Sequence, residues 1–415
     1  MSFAELLERT GGMGRFQITQ VVLLCFPILL MASHNLLQNF SAAIPDHKCK
    51  ANDTGYQSNS TDETGYERLS APLDANGQPD RCLEYVEIQW RMVGSNSTWN
   101  NSSELATRPC TIGWEYSKDE FSSTIITEWD LVCGRKTRRQ LAQSIYMGGV
   151  LVGAIILGGL SDRWFPESAR WLVLSGKPEK AVKEIRKVAN LNGKKEEGEK
   201  ITLEVWEMIK ELASAKSSYS VIDLVRTNTI RRISCALSLV WFSTSFAYYG
   251  LALDLQSFGV SIYIIQIIFG TVDIPAKFFS YFVMTYIGRR VLQALTLILA
   301  GIAILVNICV PQDYQTVRTS MAVFGKGCLA ASFNCLFLYT GELYPTVIRQ
   351  SGMGLGTMMA RLGGIIAPLA QMTGDIYHSL PLIIFGCLPI LSGIAGCFLP
   401  ETLGVPLPET IEDVE

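Results

Sequence analysis

The sequence predicts an all-α integral membrane protein of about eight transmembrane helices, with one large polar loop on its outer side. Three observations carry that expectation. Of 415 residues 48% are hydrophobic and only 18% charged, and the mean hydropathy is +0.24, too apolar for an ordinary soluble chain of this length. Apolar runs of roughly 20 residues, the length a bilayer core demands, recur along the chain. Between the first two runs lies a polar stretch with four cysteines and a string of Asn-x-Ser/Thr glycan acceptors. The net charge of −3 leaves no basic domain, which excludes nucleic acid as a partner.

Residues 1–17 read as a cytosolic N-terminus. Met1 to Arg15 is polar, and the apolar run after it is too long for a cleavable leader and lacks a small-residue cleavage site. The first helix, 18–44, is therefore expected to act as its own insertion signal. Within it His34, Asn35, Gln38 and Asn39 share one face, which suits either a wet cavity or the headgroup level at the helix end.

The loop 45–139 follows, with acceptors at Asn52, Asn59, Asn96, Asn100 and Asn101, and another at Asn39 on the helix edge. That places the loop outside, where Cys49, Cys82, Cys110 and Cys133 form two disulfides in any of three pairings. A zinc site is the weaker reading, because no close Cys-x-x-Cys pair is present and His47 is the only histidine among them.

After a second helix at 141–160 comes a Lys/Arg-rich segment, 161–231, with helical patterns at Glu179–Ala189 and Leu203–Leu212. Six further spans fill 233–399, and 400–415 returns to the cytosol. The basic segment and Gly288-Arg289-Arg290 fall inside, as the positive-inside rule requires; the cluster Arg135, Lys136, Arg138 and Arg139 falls outside, against it. Two spans before the segment and six after it are an odd division for a transporter built from repeated bundles.

A charge inside a span costs about 2.5 to 3.5 kcal/mol on insertion scales and so marks function. Arg361 stands alone at mid-helix, with no acidic residue in its own span. Lys277 has Asp273 one turn before it, an i, i+4 spacing that permits either mutual neutralisation or an anion contact. Lys326, between Gly325 and Gly327, fits tight helix packing as readily as anion binding. Trp241, Phe242, Tyr248, Tyr249, Phe333 and Phe337 cluster on the same helices, as lipid-facing packing or as walls for a flat organic solute. The sequence shows no nucleophile with a base, no phosphate loop and no metal-spaced carboxylates, so neither an enzyme nor a cofactor is expected and any driving force comes from a gradient.

Several strings are more specific: GGLSDR at Gly158–Arg163, PESARWL at Pro166–Leu172, GELYPTVIRQ at Gly341–Gln350 and PETLGVPLPETIED at Pro400–Asp413. With STIITEWDLVC at Ser123–Cys133, GRR at Gly288–Arg290, the opening ELLERTGGMGRFQ and SFAYYGLALDLQ, they resemble the organic anion transporters of the major facilitator superfamily across almost the whole chain. The resemblance implies a twelve-helix fold in two halves and exchange of organic anions for an intracellular dicarboxylate at the plasma membrane. It implies Arg361 and Lys277 as anion contacts, Asn35, Trp241, Tyr248, Tyr249, Phe333 and Phe337 as cavity lining, and Asp273 beside them. Asp162, Arg163, Arg289, Arg290, Glu342 and Arg349 match cytosolic motifs that act as gating locks.

The chain departs from that pattern after Asp162 and Arg163, running through Trp164 and Phe165 straight into PESARWL. Helices three to six, roughly 110 to 130 residues, are absent, leaving an incomplete major facilitator fold. Because four is even, the later helices keep their orientation. The expectation is an organic anion transporter by lineage; the rival is a shortened, non-transporting form that is retained in the endoplasmic reticulum or perturbs a full-length relative.

Overall fold

The computed structural model describes residues 11–12, 14–50, 70–73, 77–86, 106–164, 172, 177–196, 198, 222–253, 261–311, 314–377, 379–408 and 411–414. In chain order the elements are α1 (Arg15–Ser41), β1 (His47–Cys49), β2 (Leu83–Tyr85), β3 (Thr107–Pro109), β4 (Trp114–Tyr116), α2 (Ile125–Trp129) and α3 (Thr137–Trp164). They continue with α4 (Pro178–Leu191), α5 (Asp223–Arg226), α6 (Asn228–Ala252), α7 (Ile262–Tyr286), α8 (Arg289–Cys309), α9 (Gln315–Leu343), α10 (Arg349–Gln371) and α11 (Leu380–Gly396).

Among the described residues seven helices are long and apolar enough to cross a bilayer, and α11, at 17 residues, sits at the lower limit of spanning length. The eight expected spans are thus present as helices. Local chemistry sets their ends. Tyr344 precedes Pro345 and is extended (ψ 135°), which stops α9. Gly288 turns the chain between α7 and α8 at φ 118°, where a Cβ would also meet the Glu401 carboxylate at 2.6 Å.

Helices α6 to α11 make one bundle around a core that includes Leu237, Val240, Phe246, Leu297, Leu329, Leu336 and Phe385. Small residues bring α6 and α10 together: a Cβ at Gly356 would fall 2.4 Å from the Trp241 indole, and one at Gly363 2.5 Å from the Phe242 carbonyl. From the first half, α3 packs on α10 with the Ser144 hydroxyl donating to the Ile365 carbonyl at 2.9 Å.

The first helix is held differently. None of its most apolar stretch is buried. At the loop end the Asn39 amide donates to the Ala252 carbonyl (3.0 Å) and to Gln266 Oε1 (3.2 Å). At the opposite end Asn192, just after α4, accepts from the Phe16 N–H (3.0 Å) and donates to Gln17 Oε1 (3.1 Å). Asn39, an expected glycan acceptor, is 1% exposed, and its amide nitrogen makes both of these bonds. Asn52, Asn59, Asn96, Asn100 and Asn101 lie outside the described residues.

In the loop, β1 pairs antiparallel with β4 and β2 with β3. Cys49 joins Cys110 and Cys82 joins Cys133, one of the three pairings open from sequence. Ile126, Leu131 and Val132 pack with Ile44, Trp114 and Tyr116 beneath them. The Tyr116 hydroxyl donates to Asp130 (2.9 Å); burial first, and then that carboxylate, push its pKa up. Of the basic cluster that runs against the charge rule, Lys136 is neutralised by Asp375 at 2.5 Å.

Candidate functional site

Arg361 lies half-buried on α10, roughly 18 Å along the helix from Arg349 at 1.5 Å per residue, hence near mid-bilayer. The Ser245 hydroxyl binds the neighbouring Ala360 carbonyl at 2.6 Å and fixes α10 against α6. The Arg361 guanidinium acts electrostatically on Tyr249, which in turn interacts with Tyr146 of α3. Tyr146 donates to Asn35 Oδ1 of α1 at 3.1 Å, so polar groups from four helices follow one another across the bundle. Among the described residues no carboxylate pairs with Arg361.

Aromatic rings extend the cluster from Tyr249 toward α9. Tyr248 meets Tyr249 edge-on at 5.7 Å and Phe333 at 5.5 Å. Trp241 meets Phe337 at 4.7 Å and Phe333 at 6.4 Å. The indole itself is buried and donates to Thr340 Oγ1 at 3.0 Å, which makes Trp241 the support behind Phe333 and Phe337.

The structure reassigns the partner of Asp273. Its Oδ1 pairs with Lys326 Nζ at 2.7 Å and its Oδ2 accepts from the Tyr248 hydroxyl at 3.2 Å. Lys326 also donates to the Phe269 carbonyl (2.9 Å) and lies 5.0 Å over the Tyr248 ring. Buried and multiply bonded, Lys326 neutralises Asp273, while Lys277 is exposed with no ion pair among the described residues. The sequence spacing favoured Lys277 for Asp273, because i, i+4 neighbours on one helix are visible in sequence and a lysine 53 residues away is not.

A second polar cluster lies where α8 begins, α9 ends and the chain leaves α11. Arg289 binds Glu342 at 3.0 Å and donates to the Met284 carbonyl; Glu342 also accepts from the Thr402 hydroxyl at 2.5 Å. Glu401 accepts the backbone N–H groups of Arg289 (2.9 Å), Arg290 (3.0 Å), Thr402 and Leu403. Burial works against the charged form, yet these four donors outweigh it and hold the Glu401 pKa below the ordinary carboxylate value. Arg349 donates Nε to the Tyr344 carbonyl at 3.3 Å, leaving Nη2 buried without a partner among the described residues. Asp162 and Arg163 end α3, and their side chains lie outside the described residues. A charged groove along α4, lined by Glu179, Lys183, Arg186 and Lys187 among others, shares no residue with either cluster.

Residues 138–413 match the model of the sugar (and other) transporter family. Solute carrier family 22 member 6-A of Xenopus laevis is 61% identical over 525 aligned positions that take in all of this chain and 94% of the relative. The chain belongs to the organic anion transporter family of the major facilitator superfamily. Solute carrier family 22 member 6 of Danio rerio is 45% identical, and organic anion transporter 3 of Mus musculus 40%, over 94% and 95% of their lengths. A solved proton:xylose symporter, XylE bound to 6-bromo-6-deoxy-D-glucose, aligns at TM-score 0.42 and 19% identity over 61% of this chain and 54% of that one. Since the chain has 415 residues, at least 110 of the 525 positions shared with the Xenopus relative hold no residue of it, in keeping with a shortened form of the family.

Sequence reading missed Tyr146 and Asn192, since a lone tyrosine in a span and an asparagine after a helix carry no signal until their partners are placed. It also missed Glu401 as an anchor, although the family string containing it was legible.

Proposed function

We propose that this family member binds organic anions at the cluster of Arg361, Tyr249, Tyr248 and Phe333, with Lys277 as a second cationic contact and Asn35 and Phe337 at the margins. One observation supports this above others: a mid-bilayer guanidinium acts on Tyr249, whose ring meets that of Tyr248, with no carboxylate to neutralise it among the described residues. An arginine fork offers two parallel N–H donors to a carboxylate while ring edges flank the organic body. Trp241 supports the wall, and Asp273 compensates Lys326 so that the site's net attraction comes from Arg361 and Lys277. The transport mode is exchange against an intracellular dicarboxylate across the plasma membrane, with no chemical conversion of the cargo, both termini cytosolic and the cysteine-rich loop outside. Arg289, Arg290, Glu342, Arg349, Asp162 and Arg163 act as the cytosolic lock.

In cells expressing the chain, Arg361→Ala is expected to abolish saturable uptake of a labelled aromatic carboxylate while surface abundance stays unchanged; unaltered uptake rejects the assignment. The bare flank of α1 favours a second reading, in which the anion site forms but the halves cannot seal and rock, so the chain is retained in the secretory pathway or associates with a full-length relative. Uptake well above an empty-vector control excludes that reading, whereas binding of the labelled anion to purified protein without uptake in cells establishes it.

A further inference from the structure

The loop holds a group of side chains that the transport reading does not use. His47 Nε2 lies 3.9 Å from Cys133 Sγ, and the ligand atoms of His47, Cys82 and Cys133 all fall within 4.8 Å of one another. We propose that these three residues form a zinc site that becomes available when a low-molecular-weight thiol reduces the Cys82–Cys133 disulfide.

The geometry is close to what zinc requires. With bonds of about 2.3 Å to sulfur and 2.0 to 2.1 Å to nitrogen, a tetrahedral site sets ligand atoms roughly 3.6 Å apart. The His47–Cys133 separation needs only a few tenths of an ångström of adjustment, and breaking the disulfide frees the two sulfurs to spread around an ion. The imidazole is already oriented. Its Nδ1–H donates to the Pro45 carbonyl at 3.1 Å, an acceptor only, so the lone pair is on Nε2 and faces Cys133. A backbone carbonyl on the non-ligating nitrogen is the usual outer-shell arrangement for a metal histidine.

The three ligands also stay together once the disulfide opens. His47 stands on β1, which is joined through Cys49–Cys110 to the segment ending β3. Strand β3 pairs with β2, which begins directly after Cys82, and Asp80 accepts the Cys82 N–H at 2.7 Å. The Arg81–Asp46 pair at 2.8 Å ties the residues next to Cys82 and His47 to each other. Cys133 is held from the other side by Leu131 and Val132 in their own apolar cluster, with its backbone left-handed at φ 52°. Cys82 and Cys133 are both partly exposed, whereas in the other disulfide Cys49 is partly exposed and Cys110 buried, so a thiol has two open sulfurs to attack in the second disulfide against one in the first.

The chemistry balances. Two thiol molecules give up two electrons and become a disulfide, Cys82 and Cys133 become thiols, and zinc then displaces both thiol protons to bind two thiolates and the neutral imidazole. Three protein ligands leave a fourth position for water.

The full chain in detergent is treated with reduced glutathione, desalted and equilibrated with zinc chloride, and metal per chain is measured by mass spectrometry. Reduced protein in which Cys82 and Cys133 have been blocked by iodoacetamide, identified by peptide mapping, serves as background for the remaining cysteines, alongside the Cys82→Ser/Cys133→Ser variant. The expected result is one additional zinc per chain in the reduced form and none in the oxidised form, with thiolate-to-cobalt absorption when cobalt replaces zinc. His47→Ala is expected to weaken binding by at least about tenfold, the loss seen when even an outer-shell partner of a metal ligand is removed. Labelling of Cys49 and Cys110 ahead of Cys82 and Cys133, equal zinc in reduced and blocked protein, or unchanged affinity in His47→Ala each overturns the proposal.

Discussion

Helices α1 and α6 are close in length, 27 and 25 residues, and both are apolar enough to span a bilayer, yet 61% of the most apolar stretch of α6 is buried and none of that of α1. Hydropathy decides that each crosses the membrane and is silent about what each touches. In α6 small residues on α10, the Ser245 bond to the Ala360 carbonyl and aromatic side chains specify protein neighbours on several sides. In α1 the apolar residues run all round the helix, and its specific bonds come from Asn35, Asn39 and its N-terminal turn. The second half is thus a self-contained bundle, on which α3 packs along α10, while α1 is attached by a few polar points.

The contrast is sharpest at the buried ion pair. Asp273→Ala leaves Lys326 charged and uncompensated inside the bundle, and is expected to cost about 3 to 5 kcal/mol, read as a large fall in Tm of the purified protein. A variant that melts like the parent breaks the picture of a tightly specified second half. Next, Leu237→Ala in the bundle core is expected to cost about 2 to 5 kcal/mol, whereas Leu24→Ala on the open flank of α1 stays within about 0.5 kcal/mol. Equal costs at the two sites remove the distinction between the halves.

Smaller again is Asn192→Ala, which strips the Phe16 N–H of its acceptor and is expected to cost about 1 to 2 kcal/mol locally, seen as faster hydrogen exchange in the first turn of α1 with the bundle unaffected. Last comes a pH effect at Glu401. Its folded pKa lies below the unfolded value of about 4.5, so its stabilising contribution is complete above that value and fades as pH falls through the folded value. Glu401→Gln is expected to flatten the acid limb of Tm against pH and to leave the profile near neutrality unchanged in shape.

Much of this was legible in the residues. Eight apolar runs became eight helices, the cysteine count yielded two disulfides, and the junction at Arg163 and Trp164 was visible as a missing block of about the size the relatives show. What escaped depended on contacts between segments far apart in sequence. The choice of Lys326 over Lys277 by Asp273 and the burial of Asn39 follow from which helix faces meet, and the disulfide pairing from which loop strands pair, information that no single segment carries. Asn39 shows the point most simply: its amide nitrogen donates to a carbonyl 213 residues downstream, a partner invisible in the tripeptide.

The Glu401 carboxylate caps the amino end of α8 from 112 residues further along the chain, beyond α11. During synthesis α8 therefore enters the membrane with its first N–H groups open and keeps them so while three more helices are made. The segment after α11 thus completes a helix begun long before it, and so a stop near Leu399 would spoil the first turn of α8, more than 100 residues upstream.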